Sequence, residues 1–309
     1  MRKISFLIAA HNEEKIIAKT LENLLNLPYD DYEVIIGLDG CTDGTEEIVK
    51  KYVKKSKKIR YYSLDLRQGK PTVINEVIKK AKGEIIIIND ADWIFKVKDK
   101  KSLKKFFSVF DDEEIGGICE AYPLEWNPEV NKNRSLGYKM TAYSSYFWYE
   151  FQKKRFAKRK GELLSVEDPA LFMTNIFRRK LYKENVSLGD DFERTQNILG
   201  EGYKVVISEN ANNPKMIPTY NSISVRDLFR QKVRTSIARD QINRSRKDKI
   251  GVGNYYLPAV AYIFRNSWKR KTSVGLIIAS WIILTSFATA YSKLKNIDTK
   301  KGWVMRAKR

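Results

Sequence analysis

The first 90 residues alternate short apolar runs with segments whose apolar residues recur at helical spacing. Runs of this kind are typical of buried strands, and they lie at residues 3–10, 32–40, 59–66 and 84–90. The helical patterns lie between them, at residues 13–27, 43–55 and 70–82. Strands and helices that alternate at this spacing predict βαβ units, and therefore an α/β fold with a mainly parallel sheet.

Polar residues follow each of these predicted strands. In open parallel sheets, ligands bind in the crevice at the carboxyl ends of the strands. The residues that fall there are His11, Asn12 and Glu13 after the first strand, Asp39 after the second, 67–70 after the third, and Asp90 and Asp92 after the fourth. The sequence therefore predicts a binding site at this edge of the sheet.

The fourth predicted strand joins strongly apolar residues to acidic ones. Four isoleucines at 85–88 predict a strand that is buried on both faces, and Asp90 and Asp92 follow it. Because side chains alternate along a strand, we expect both carboxylates on one face, where they could hold Mg²⁺ or Mn²⁺. Phosphate oxygens would complete the shell of the cation, which favours a nucleotide-diphosphate substrate. The alternative interpretation is a polar turn that ends the strand.

Charge is unevenly distributed along the chain. The net charge of the 309 residues is +21, and residues 221–309 contain 20 Lys or Arg against 4 Asp or Glu. A basic C-terminal quarter indicates an anionic partner, either nucleic acid or a membrane surface. Two cysteines are too few for a disulfide framework. The N-terminus, "MRKISFLIAAHNEE", lacks a signal-peptide pattern, so we expect folding in the cytosol.

The C-terminal segments favour the membrane. Residues 221–271 combine basic residues with apolar residues at helical spacing, as in helices that lie on anionic lipid. Residues 272–292 contain no charged residue, and as a helix they would span roughly 31 Å, which predicts a transmembrane helix. Residues 293–309 form a basic tail, which the positive-inside rule disfavours exporting. A hairpin in which residues 251–264 also dip into the bilayer therefore stays open.

Five motifs are similar, in order and spacing, to those of glycosyltransferase family 2. They are "IAAHNEE", "GLDGCTDGT", "RQGKPTVINEVIKKAKGEIIIINDAD", "SLGDDFERTQNILGEGYKVV" and "LFRQKVRT", and together they cover about residues 3–240. The resemblance implies a GT-A nucleotide-diphospho-sugar transferase fold over residues 1–220. It also implies a reaction that inverts the configuration of the transferred sugar.

The resemblance assigns donor-binding roles to matching residues. Asp39 matches the acid that recognises the base, usually uracil, and Lys70 would meet the diphosphate. Asp90 and Asp92 match the acid-x-acid motif, in which the second acid is usually the metal ligand and the first faces ribose or metal. The implied cofactor is Mg²⁺ or Mn²⁺. The residues that match the nucleoside-binding segment are Ala10, His11, Asn12 and Glu13.

The resemblance also places a catalytic base. "GDDFE" at residues 189–193 puts Asp191 at the base position, with Asp190 beside it at the substrate. A hydroxyl nucleophile gains from proton removal during attack. The neighbouring Asp190 and Glu193 would raise the pKa of Asp191 by like-charge repulsion. The alternative interpretation is an acidic N-cap before a helix.

A further motif, "RQKVRT" at residues 230–235, resembles the Gln-x-x-Arg-Trp motif of membrane-bound polysaccharide synthases. Gln231 and Arg234 match it, whereas Thr235 stands where the family has tryptophan. Arg234 would neutralise the diphosphate, and the missing indole argues against processive polymer synthesis. An interfacial helix with solvated arginines is the structural alternative.

Together these features predict a metal-dependent glycosyltransferase at the cell membrane, with its catalytic domain on the cytoplasmic face. We expect a nucleotide-sugar donor (UDP favoured), a hydroxyl acceptor on a lipid-linked saccharide or glycolipid, and anionic lipids as partners, with no nucleic acid. The open alternatives are a polyprenyl-phosphate sugar synthase, a processive polysaccharide synthase, and a non-catalytic basic membrane or RNA-binding protein.

Overall fold

The computed structural model describes residues 3–120, 122, 124–160, 163–167, 172–184, 187–245 and 250–294. Its first part has the predicted alternation of strands and helices. The strands are β1 (Ile4–Ala10), β2 (Tyr32–Asp39), β3 (Ile59–Leu64) and β4 (Ile85–Ile88), and the helices are α1 (Ile17–Leu25), α2 (Thr45–Lys55) and α3 (Lys70–Ile78). All seven predicted elements are confirmed, although several are shorter than the patterns that predicted them.

The remaining elements complete the sheet and cover it. The strands are β5 (Trp93–Lys96), β6 (Ile115–Glu120), β7 (Ala157–Lys160), β8 (Leu163–Val166), β9 (Thr174–Arg178), β10 (Lys204–Ser208) and β11 (Lys215–Pro218). The helices are α4 (Lys100–Phe107), α5 (Leu136–Phe156), α6 (Asp190–Gly200), α7 (Val225–Ser245), α8 (Leu257–Arg270) and α9 (Thr272–Leu294), with a π-helical turn at Val252–Tyr256 before α8.

Within the described ranges, nine strands form the central sheet in the order β3-β2-β1-β4-β9-β6-β10-β8-β7. The first four strands in this order are parallel, as are β6 and β10, whereas β9 runs antiparallel between β4 and β6. Strands β5 and β11 pair separately as a small antiparallel sheet. The α/β fold with a mainly parallel central sheet is therefore as predicted.

Strand β4 is buried on both faces, as its isoleucines predicted. Ile85 and Ile87 pack into one apolar layer of the core, and Ile86 and Ile88 pack into the other. The strand ends at Ile88, so Asp90 and Asp92 lie in the turn that follows it rather than on the strand. The expectation that strand alternation places these carboxylates is therefore wrong, and the turn determines where they lie.

The C-terminal helices pack against α5. Val274, Ile278 and Trp281 of α9 share an apolar cluster with Leu228 of α7 and with the aromatic residues of α5. Among the described residues, α9 is the one helix that is long and apolar enough to cross a membrane. The predicted basic tail lies outside the described residues from position 295 onward.

The other face of α9 is exposed and apolar. Leu276, Ile283 and Phe287 expose 56%, 58% and 68% of their surface, and they recur at intervals that place them on one side of the helix. This helix therefore has a packed face toward the body of the protein and an unpacked apolar face opposite.

Arg178 of β9 hydrogen-bonds to residues on or just before its neighbouring strands β4 and β6. The side chain is 1% exposed. Its guanidinium donates to the carbonyl oxygens of Ile115, Phe110 and Asp112 at 2.8, 2.6 and 3.0 Å and to Oε1 of Glu84 at 3.2 Å. Without the arginine each of these groups would lose one hydrogen bond, although the carbonyl oxygen of Asp112 would keep its bond from the amide of Ile115 at 3.1 Å.

We therefore expect Arg178→Met to lower the free energy of unfolding by about 3 kcal/mol, because buried carbonyl groups would lose their donors. Urea denaturation followed by circular dichroism measures this change. Arg179→Met is the matched control, since exposed Arg179 makes one such bond, to the carbonyl of Ala81 at 3.2 Å. Equal losses in the two variants would contradict this account.

Candidate active site

A cleft of about 490 Å³ opens at the carboxyl ends of β1 and β4. Its walls come from the start of α3, the turn after β4, the start of α6, one face of α5, one face of α7, and Trp281 of α9. The predicted site residues that line it are Glu13, Lys70, Asp90, Asp92, Asp190, Asp191, Gln231 and Arg234. Folding thus brings together segments that are far apart in the chain.

The loop after β1 is tied to the loop after β2. Nδ1 of His11 donates to the carbonyl oxygen of Asp39 at 2.6 Å, and Oδ1 of Asn12 accepts from the amide of Thr42 at 2.8 Å. Asn12 has a positive φ of 55°, and Ala10 is buried. These residues lie beside the cleft rather than in its wall, so their contact with the nucleoside stays a prediction.

Asp39 holds the loop that precedes α3. Its carboxylate is 4% exposed, and its two oxygens accept from the backbone amides of Gln68 and Gly69 at 2.6 and 3.0 Å. Gly69 has a φ of 93°, a conformation that favours glycine, and Lys70 follows it at the start of α3. The structure therefore gives Asp39 a positioning role for the Lys70 loop, and base recognition stays a prediction.

The turn that carries Asp90 and Asp92 is held by backbone and amide hydrogen bonds. The buried side chain of Asn89 donates to the carbonyl oxygens of Asp90 and Trp93, both at 2.9 Å. Thr219 donates to the carbonyl oxygen of Asp92 through its amide at 2.9 Å and its hydroxyl at 2.8 Å. Sequence reasoning missed Asn89, although an asparagine directly after four isoleucines was the available signal.

Lys70 is bound by carboxylates from two separate segments. Its Nζ lies 2.6 Å from Oδ1 of Asp90 and 4.0 Å from Oδ2 of Asp190. Burial alone would lower the pKa of Lys70, but the charges of Asp190 and Asp90 outweigh it and raise that pKa. Lys70 is therefore a fixed positive charge in the cleft.

Arg194 forms a salt bridge with Asp190 on the same helix. Its Nη2 donates to Oδ2 of Asp190 at 2.9 Å, and both side chains are buried. Burial would raise the pKa of Asp190, but Lys70 and Arg194 lower it overall, with a further contribution from Arg234. Sequence reasoning missed Arg194, although its position four residues after Asp190 on a helix was a usable signal.

The pKa of Asp191 is raised above its ordinary value. Burial raises its pKa, and the neighbouring charge of Asp190 raises it further, as predicted. Glu193 instead accepts from the amide and hydroxyl of Ser187 at 2.9 and 2.6 Å, so it closes the loop before α6. The N-cap of α6 is Gly189 and no side chain caps it, which disfavours the alternative of an acidic cap.

Helix α7 closes the cleft opposite the sheet. Arg234 donates to the carbonyl oxygen of Leu188 at 3.4 Å, and Oε1 of Gln241 accepts from the amide of Leu188 at 2.9 Å. Gln231 and Thr235 also line the cleft. The motif that resembles Gln-x-x-Arg-Trp therefore faces the same space as Asp191.

Helix α5 supplies a wall that sequence reasoning recognised only as an aromatic helical run. The α5 residues that line the cleft are Thr141, Ser144, Ser145, Trp148, Tyr149 and Gln152. They are mostly polar, and they recur at intervals of three or four residues, so one mixed face of the helix meets the cleft.

A metal site in this cleft would rest on few protein ligands. The described residues contain no group of three His, Cys, Asp or Glu side chains that could hold an ion. Asp90 and Asp92 are two carboxylates on one turn at the cleft, and Asp90 is already paired with Lys70. This donor set fits a hard cation that takes its other ligands from water and a bound diphosphate.

Comparisons with known proteins agree on the class of enzyme. The family model for glycosyl transferase family 2 matches residues 5–185. The poly-beta-1,6-N-acetyl-D-glucosamine synthase of Staphylococcus epidermidis is 38% identical over 135 residues, which cover 43% of this chain and 31% of that protein. The chain therefore spans about a third of the length of the first curated relatives it matches.

Another relative matches over more of its length. The dolichyl N-acetyl-alpha-D-glucosaminyl phosphate 3-beta-D-2,3-diacetamido-2,3-dideoxy-beta-D-glucuronosyltransferase of Methanococcus voltae is 26% identical over 252 residues, covering 75% of this chain and 71% of that protein. A solved mannosyltransferase from Pyrobaculum calidifontis, in complex with GDP-Man and Mn²⁺, is 18% identical with a TM-score of 0.53. It covers 98% of this chain and 83% of its own, which supports the GT-A fold.

We expect Asp190→Asn to lower the pKa of Asp191, because the substitution removes the like charge that adds to burial in raising it. The asparagine keeps an oxygen that can accept from Arg194. Carboxyl-labelled aspartate and NMR during a pH titration measure the pKa directly, with Asp191→Asn assigning the signal. Glu193→Gln is the control, since Glu193 is bonded to Ser187. An unchanged Asp191 pKa in Asp190→Asn would contradict the assigned coupling.

Proposed function

The chain belongs to glycosyl transferase family 2, and from that premise we propose that it transfers one sugar from a nucleotide-diphospho-sugar to a hydroxyl of a lipid-linked saccharide or glycolipid at a membrane. One observation carries the proposal. Asp191, a carboxylate of raised pKa, lines the same cleft as Lys70 and the acid pair Asp90 and Asp92. The cleft thus combines a base for a hydroxyl with groups suited to a diphosphate.

The donor diphosphate would lie near Lys70. This ammonium group and the guanidinium of Arg234 would stabilise the charge that develops on the departing diphosphate. A divalent cation on Asp92 and Asp90, when bound, would supply further charge neutralisation. UDP is the favoured nucleotide because Asp39 matches the base-recognising acid of the family, although its carboxylate also holds the Lys70 loop.

The acceptor hydroxyl would lie beside Asp191. The ionised carboxylate takes the hydroxyl proton while the oxygen attacks C1 of the donor sugar. The new bond joins that oxygen to C1, the bond from C1 to the phosphate oxygen breaks, and the electron pair leaves with the nucleoside diphosphate. A single displacement from the opposite face inverts the configuration at C1.

Two other reactions of the family fit the residues of this cleft less well. A polyprenyl-phosphate sugar synthase uses an acceptor that is already ionised, so it does not need the base that Asp191 would provide. A processive polysaccharide synthase is disfavoured because Thr235 lines the cleft where the related motif has tryptophan. The named acceptor of the Methanococcus voltae relative is lipid-linked, and this supports a lipid-linked acceptor here.

We expect Asp191→Asn to reduce sugar transfer by at least about 100-fold, because general-base catalysis contributes factors of this size. A screen of nucleotide sugars with Mn²⁺ or Mg²⁺, read by nucleotide release, identifies the donor first. Asp30→Asn is the control, since its side chain is 91% exposed and it pairs with exposed Lys100 at 3.5 Å, far from the residues that line the cleft. Full activity of Asp191→Asn would favour a phosphate acceptor instead, and no binding of any nucleotide sugar with metal would overturn the proposal.

We further propose that the exposed apolar face of α8 and α9 rests on an anionic bilayer. Leu257 and Phe264 of α8 are exposed beside the unpacked face of α9, and basic residues at 269–271 join the two helices. Because α9 packs along α7 and α8, lipid could not surround it on all sides, so we favour a helix in the interface. The predicted crossing by residues 272–292 is the alternative.

We expect the double variant Ile283→Ser with Phe287→Ser to float less with vesicles containing phosphatidylglycerol, because it removes exposed apolar area. Leu66→Ser with Tyr62→Ser is the matched control, since these side chains are exposed on a different surface. Retention of the unaltered protein in membranes after alkaline carbonate washing would favour the crossing helix, and unchanged flotation of the first variant would contradict the docking face.

A further inference from the structure

Helix α7 places two basic side chains in the cleft wall that pair with no carboxylate among the described residues. Lys232 and Arg239 both line the cleft, and seven residues place them two turns apart on one side of the helix. Neither makes a salt bridge to any described residue, and their contacts are with aromatic rings. Nζ of Lys232 lies 5.4 Å from the ring centroid of Trp281, and Cζ of Arg239 lies 5.3 and 4.9 Å from those of Trp148 and Tyr256.

Lys70 differs from these two residues because it has carboxylate partners. Lys70 is neutralised by two carboxylates, which raise its pKa. Burial lowers the pKa of Lys232 to about 7, and the charge of Arg239 adds to that effect. A positive charge on Lys232 is therefore unfavourable in this wall without a counter-charge. A bound anion would supply one.

A hydrogen-bond donor lies beside Lys232. Trp281 lines the cleft and is 5% exposed, and its Nε1 is buried without a hydrogen-bond partner. A buried indole N–H usually finds an acceptor, because leaving it unpaired costs free energy. An oxygen of a bound anion would satisfy it together with Lys232.

An apolar cavity of about 30 Å³ adjoins the cleft at Arg239. Trp148, Phe192 and Arg239 line both spaces, and the far wall of the cavity includes Ile250 and Tyr256. In the chain these far-wall residues are next to exposed apolar residues, Val252 and Leu257, which expose 64% and 59% of their surface. Arg239 therefore lies between the polar cleft and the apolar cavity.

We propose that Lys232 and Arg239 bind the phosphate of the acceptor's lipid carrier, with the first carbons of that lipid in the adjoining apolar cavity. This inference rests on the proposed function, because it assigns the acceptor of the same cleft. The subsite is distinct from the donor diphosphate groups around Lys70. The acceptor sugar would then lie between this phosphate and Asp191, with its hydroxyl toward the base.

The test is calorimetric titration of the full chain in dilute detergent with four probes: citronellyl phosphate, citronellol, inorganic phosphate and UDP. Citronellyl phosphate is a short isoprenoid phosphate, and citronellol is the same chain without the anion. We expect the double variant Lys232→Met with Arg239→Met to weaken citronellyl phosphate by at least about 10-fold, because charge-assisted hydrogen bonds are lost. UDP affinity should change less than about 2-fold, which also reports that the variant is folded.

Two further variants sharpen the comparison. Arg239→Lys keeps the positive charge and should retain most of the citronellyl phosphate affinity. Arg226→Met removes an exposed arginine from the first turn of the same helix and should leave every affinity unchanged.

Each alternative has its own outcome. Equal affinity for citronellol would overturn the anion subsite, and equal affinity for inorganic phosphate would overturn the lipid part. A parallel loss of UDP binding in the double variant would assign the two cations to the donor. If the unaltered protein bound citronellyl phosphate but no nucleotide sugar, the proposed function would fail while the subsite stood.

Discussion

The geometry of the cleft depends on the ion pairs that the ammonium group of Lys70 makes. This group lies between Asp90, carried by the turn after β4, and Asp190, the first residue of α6. These residues are 100 positions apart in the chain, and Arg194 extends the alternating charges one step further into the core. Removing Asp190 would leave the buried guanidinium of Arg194 without its carboxylate and Lys70 with Asp90 alone, so Asp190 links the turn after β4 to the core beneath α6.

A second group of polar residues acts on the backbone rather than on a substrate. The carboxylate of Asp39 holds the loop before α3, the amide of Asn89 closes the turn after β4, and Glu193 closes the loop before α6. Each sits directly beside a residue that faces the cleft. The reactive side chains are therefore oriented by neighbours that hydrogen-bond to the backbone of the same loops.

The sequence predicted the elements well because their signals are local. The isoleucines of β4 and the helical spacing of the early helices are read from neighbouring residues, and the acids after the strands follow from parallel topology. Asp90 and Asp92 lie at the predicted edge of the sheet, but the turn that carries them was missed because it depends partly on Thr219, which is distant in the chain. The same is true of the role of Asp39 and of the aromatic partners of Arg239, which come from α5 and from the turn before α8.

Trp281 belongs both to a helix with an exposed apolar face and to the wall of the cleft. The residues that would meet the bilayer and those that would meet the acceptor are thus on opposite sides of one rigid cylinder. Shortening the chain before residue 272 to obtain a more tractable protein would therefore remove part of the cleft wall together with the exposed apolar face. On the proposed docking of that face, the choice of detergent or lipid around α9 would alter turnover as well as solubility.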